Sequence, residues 1–121
     1  MKRKAMDLVG TWTLKRHLSL RAGEESPTGH EPGGLLIYAA TGHMMVAINF
    51  STDSEGHTAP GVFYAGTFMA TDREVHHFVT LSSDPKRIGK TLTRTAELDG
   101  TLLSLTVGDR EDGAKIDWER I

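Results

Sequence analysis

Hydrophobic and polar positions alternate along nearly the whole chain. In GTWTLKRHLSL, residues 10–20, Trp12, Leu14, Leu18 and Leu20 share one parity while Thr11, Thr13 and Lys15 hold the other. A period of two is the signature of a strand with one face buried. The same reading predicts strands over 34–40, 43–51, 62–71, 74–81, 90–98, 101–107 and 114–120, eight in all. No stretch keeps a helical period over the roughly 11 residues that would compel a helix. Between the strands, Thr41-Gly42, Asp72-Arg73 and Asp99-Gly100 are short, and two of the three carry the glycine that tight hairpins favour. The connections over 21–33, 52–61, 82–89 and 108–113 are long.

In an up-and-down meander each strand reverses direction, so alternate connections lie at opposite ends. Every long connection here follows an odd strand and every short turn an even one. The long loops therefore gather at one end. Eight strands suffice to close a sheet around packed side chains or one small ligand, and closure removes two exposed edges. The predicted fold is an all-β, eight-stranded antiparallel up-and-down barrel with long loops at one open end. Trp12 enters at the tight-turn end as a plug, where Trp118 and Arg120 also arrive. First and last strands become neighbours, which allows Arg120 to lie over the Trp12 ring. Gly10 allows the entering chain to approach closely beneath it. Residues 8–121 read as one barrel domain and residues 1–7 as a flexible, solvated tail.

The bulk properties narrow the classes of partner. The 121 residues carry a formal net charge of -2 and no cysteine. A nearly balanced charge argues against a nucleic-acid surface and a polybasic membrane anchor, and the absence of cysteine excludes disulfides and thiol catalysis. Met1-Lys2-Arg3-Lys4 resembles the start of a signal peptide, but no apolar run follows it. No stretch approaches the ~20 apolar residues of a membrane span. A cytoplasmic location is the default expectation.

Parity also assigns an interior. Trp12 facing inward takes Leu14, Arg16, Leu18 and Leu20 with it. The later strands contribute Met44, Val46, Ile48 and Phe50, then Tyr64, Gly66 and Phe68, Val75, His77, Val79 and Leu81, Leu92, Arg94, Ala96 and Leu98, Leu103, Leu105 and Val107, and Ile116, Trp118 and Arg120. In the second strand Leu36, Tyr38 and Ala40 compete with Leu35, Ile37 and Ala39. Arg16, Arg94 and His77 are polar exceptions on apolar faces. Glu97, Asp117 and Glu119 fall outward, so no strand acid answers the two arginines. A buried unpaired charge is expensive. Either loop acids such as Glu24, Glu25, Asp53 and Asp84 reach them, or trapped water does, or an anionic ligand does. His17, His43 and His76 fall on outward faces, and no His/Asp/Glu cluster has metal-ligand spacing. Tyr38 and Tyr64 offer hydroxyls to a carbonyl or simply pack. No nucleophile elbow is present, and RIGKT at 87–91 lacks the glycine and helix of a phosphate loop.

Gly10-Thr11-Trp12 on the first strand and Arg120 on the last resemble the Gly-x-Trp and closing-arginine signature of lipocalins and the wider calycin group. LVGTWTL, GLLIYAATGHMMV, YAGTF, VHHFVTLSSDP, IGKTLTRTAELDGTLLSLT and IDWERI, in that order, look like the lipocalin-like domain family of bacteria and fungi. Lys86 and Arg87 stand where that family often has an aromatic residue after the proline. The resemblance implies a barrel with a small-molecule cavity, and some barrels of this type act as cyclases or isomerases in natural-product pathways. The expected function is binding of an apolar or amphipathic small molecule, one with an acidic or enolic end, by Arg16, Tyr38, Met44, Val46, Ile48, Tyr64, Phe68, His77, Arg94 and Trp118. The alternative is a cofactor-independent cyclase or isomerase in the same cavity, with His77 and Arg94 catalytic. Neither reading calls for a metal or another cofactor.

Overall fold

The computed structural model describes residues 4–28, 30–51, 56, 61–108 and 112–121. Among these residues there are nine strands: β1 (Gly10–Arg21), β2 (Glu24–Pro27), β3 (His30–Tyr38), β4 (His43–Ser51), β5 (Val62–Ala70), β6 (Glu74–Ser82), β7 (Thr91–Asp99), β8 (Leu102–Gly108) and β9 (Asp112–Arg120). A 3-10 turn, Pro85–Arg87, follows β6. Each strand from β3 to β9 pairs antiparallel with the next, and β1 pairs with β3 on one side and β9 on the other. The β1–β9 ladder runs from Trp12 opposite Arg120 to Arg21 opposite Asp112. The sheet is therefore a closed eight-stranded antiparallel barrel with one extra strand. Among the described residues no helix is long and apolar enough to cross a membrane.

The extra strand corrects the reading of 21–33 as a loop. Ala22 and Gly23 take positive φ angles of 49° and 78°, which suits a tight hairpin turn. The chain then folds back, and β2 pairs with β1 from Arg21–Glu24 to Leu18–Pro27. β3 also runs antiparallel to β1 along that edge but meets it only over Gly10–Thr13. β2 and β3 thus act as one descending strand interrupted near its middle. The second correction concerns 108–113, where the strands continue to Gly108 and from Asp112 and leave only 109–111, outside the described residues, as the connection. Most of the 52–61 connection also lies outside the described residues.

A register shift in β1 between Leu14 and Arg16 changes which side chains face in. Cross-strand partners share a face. Before the bulge Trp12 and Leu14 belong to the core. After it Arg16 pairs with Asp117, and His17 pairs with Ile116. Leu18 and Leu20 are buried but share the outer face with Lys115 and Gly113. The parity of β3 is settled by Leu36 and Tyr38, both buried, against Leu35, which is 41% exposed.

The barrel floor is solid. Trp12, Leu36, Tyr38, Met44, Val75 and Leu103 join one buried cluster, with Phe68 packed against it. Gly10 (φ 149°) redirects the incoming chain, so the Trp12 indole N–H donates to the Leu8 carbonyl at 3.0 Å. The Arg120 guanidinium lies 4.5 Å from the Trp12 ring centroid and donates to the Asp7 carbonyl at 2.8 Å. The Met6 amide donates to Thr71 at 3.0 Å. Residues 6–10 therefore clasp the base of the barrel, and Trp12 and Arg120 hold the closing positions expected of them.

Candidate functional site

Above the floor, the mouth half of the barrel encloses a cavity of about 170 Å³. Its walls come from residues whose burial is dictated by strand parity. Val46, Ile48, Tyr64, His77, Arg94 and Trp118 line it as expected, together with Leu105, Val107 and Ile116 from the inward faces of β8 and β9. Four expected lining residues do not. Tyr38, Met44 and Phe68 lie deeper, in or against the packed floor. Arg16 faces outward, with 61% of its side chain exposed, and donates from Nε and Nη2 to Asp117 Oδ2 at 2.9 and 2.6 Å. Asp117 also accepts from Ser104 Oγ at 2.6 Å. The bulge is the reason, because it inverts the parity that places Arg16 inward.

The same bulge brings His17 to the cavity wall, where its ring stands nearly perpendicular to that of Phe50 with 5.3 Å between ring centroids. Burial lowers its pKa. Arg87 reaches the cavity from the 3-10 turn, whose geometry is fixed by Asp84 accepting from the Lys86 amide. Parity along a strand signals neither residue. Only the Asp-Pro pair at 84–85, a turn signal, hints that Arg87 is held in place. Of the acids considered as partners, Glu25 pairs with Lys115 at 3.8 Å, and Asp53 lies outside the described residues.

One wall of the cavity is polar and linked into a chain. His77, 2% exposed, has Tyr38 Oη at 2.6 Å from Nε2 and Tyr64 Oη at 2.6 Å from Nδ1. The three residues come from β3, β5 and β6. Arg94 of β7 stands beside the Tyr64 hydroxyl, where its charge opposes the rise in tyrosine pKa that burial causes. The Tyr38 pKa is raised well above its ordinary value, chiefly by burial. Burial, aided by the positive charges of Arg94 and His76, lowers His77 to about 3. At neutral pH its ring is uncharged, with one nitrogen donating and the other accepting. His77 is therefore a hydrogen-bonded interior histidine that joins two phenols.

The chain matches no protein-family model and no curated protein. The lipocalin-like resemblance accordingly rests on its motifs, and the site is read from its own chemistry. None of the described residues lining the cavity is a carboxylate, while two are arginines. Trp118 lines it with its indole N–H buried and without a partner among the described residues, as is Nδ1 of His17. His43 and His76 point away and bond to Thr41 and Thr93, each at 2.9 Å. Among the described residues no three His, Asp or Glu side chains converge to hold a metal ion. The wall can orient and polarise an oxygen-bearing group, and the aliphatic remainder can bury a hydrocarbon portion.

Proposed function

We propose that the barrel binds an apolar or amphipathic small molecule in the cavity at its mouth. The supporting observation is the contrast within one barrel between a packed floor and an apolar cavity of about 170 Å³ with a single polar wall. An aliphatic cavity of about 150 Å³ is known to take up benzene. The part of the ligand enclosed here is thus of the order of one ring or a short chain. Titration with toluene and with indole, followed through the methyl signals of Val46, Ile48 and Ile116, tests this reading. Saturable shifts are expected in the wild type and lost in Ala114→Phe, which fills the cavity from its wall. Unmoved methyls with both compounds would remove the reading.

A cofactor-independent isomerase or cyclase remains the alternative use of the same wall. Arg94 and Tyr64 beside a substrate oxygen would supply the oriented donors that such chemistry needs. The enclosed volume favours a small substrate over a folded polyene. Formation of product, lost in Arg94→Met, separates this use from carriage.

A further inference from the structure

The hydrogen-bond chain has a direction, and that direction sets what the cavity accepts. Tyr38 is 1% exposed, and among the described residues His77 is the hydrogen-bond partner found for its hydroxyl. Were His77 protonated on Nε2, it would donate to Tyr38, and the Tyr38 O–H would be buried without an acceptor. Such an orphan costs about 1–3 kcal/mol. With the proton on Nδ1 instead, Tyr38 donates to Nε2 and the ring donates to Tyr64. Tyr64 lines the cavity, so its own O–H is then turned to where a ligand or water can accept it. Arg94, Arg87 and the Trp118 indole can only donate. Of the described polar side chains that line the cavity, His17 alone is free to accept.

We propose, building on the cavity-binding reading, that the site selects a ring-sized ligand bearing a carboxylate or enolate oxygen, which is received by Arg94, Tyr64 and Trp118. His77 is a positioning residue: both its ring nitrogens are taken by tyrosine hydroxyls, so it offers the ligand no hydrogen bond of its own and instead fixes Tyr64 as a donor. An oxyanion answers the two arginines that no lining carboxylate answers, and it occupies the donors that the fold leaves open. A purely donating head group is met, among the described lining groups, by His17 alone, and a cationic one is repelled by the two arginines.

Four probes of nearly equal size test the selection: benzoate, benzyl alcohol, toluene and benzylamine. Benzoate is expected to bind at least about ten-fold more tightly than toluene, since hydrogen bonds to a charged group are the stronger kind, and benzylamine most weakly. Tyr64→Phe and Arg94→Met should each remove about ten-fold of the benzoate affinity and so narrow its lead over toluene measured on the same variant. The ¹⁵N signals of His77 in the wild type provide a readout that a merely packed histidine would not fix: Nδ1 is expected to carry the proton. Toluene or benzylamine binding as tightly as benzoate, with methyl shifts intact, would overturn the selection and spare the cavity. A proton on Nε2 would remove Tyr64 as a donor and overturn the proposal. No binding by any of the four would overturn cavity binding and selection together.

Discussion

His77 makes the fold sensitive to pH through a single residue. A ring held to a pKa of about 3 in the fold and near 6.5 in the unfolded chain leaves the unfolded state binding more protons below neutrality. Stability from this residue is complete above about pH 7 and is lost as the pH falls from there towards 3. Between pH 7 and pH 5 the loss is ~2 kcal/mol for one such group. Urea unfolding of the wild type and of His77→Gln should show it. The wild type is expected to lose about that much more than the variant across the interval, and equal losses would mean that the ring ionises freely within the fold. The sequence places His77 on an inward face by parity alone. It cannot place the two tyrosine hydroxyls on its nitrogens, because those contacts join three strands distant along the chain.

At the level of elements, the pattern of alternation was enough to locate eight strands, since each has one face buried and a one-residue slip would exchange the faces. It fails where alternation does not report the register. In LKRHLSL the apolar residues keep even parity through the bulge, because Leu18 and Leu20 are buried on the outer side, and so Arg16 is misassigned and His17 missed. β2 is invisible for another reason. Glu24-Glu25-Ser26-Pro27 is exposed throughout and has no apolar face to betray it. The outward Arg16 and the nearly buried Asp117 make an asymmetric pair. Arg16→Ala should cost within ~1 kcal/mol because that side chain is mostly in water. Asp117→Ala should cost about 1–3 kcal/mol, since it removes the acceptor shared by Arg16 and Ser104. Thermal or urea unfolding of both variants checks the order, and a larger effect at Arg16 would refute it. β5 contains a second irregularity, between Ala65 and Gly66. A Cβ on Gly66 would lie 1.9 Å from the Phe78 carbonyl oxygen, so Gly66→Ala must displace backbone. A loss of about 2 kcal/mol or more is expected, and a melting temperature equal to that of the wild type would contradict the tight approach.

For the molecule as a whole, the two ends of the barrel divide the labour. The floor is closed by Trp12, capped by Arg120 and clasped by residues 6–10. The mouth keeps its polar groups around a space that packing does not fill. This separation follows from topology: β1 begins and β9 ends at the floor, so the closing contacts lie a full strand length from Arg87 and Val107. It predicts that stability and binding respond to different residues. Arg120→Ala removes the guanidinium from the Trp12 face and the bond to the Asp7 carbonyl, with an expected cost of ~1–2 kcal/mol. Its benzoate affinity should stay within two-fold of wild type, because the Arg120 guanidinium meets the Trp12 ring and the Asp7 carbonyl and is not among the groups that line the cavity. Arg94→Met is expected to do the reverse, weakening benzoate while its unfolding midpoint changes little, since the half-buried guanidinium leaves no paired carboxylate behind among the lining residues. Both quantities, measured on both variants, decide the matter. If loss of Arg120 weakened benzoate about as much as loss of Arg94, the floor would be setting the shape of the mouth, and the barrel would have to be treated as one coupled unit.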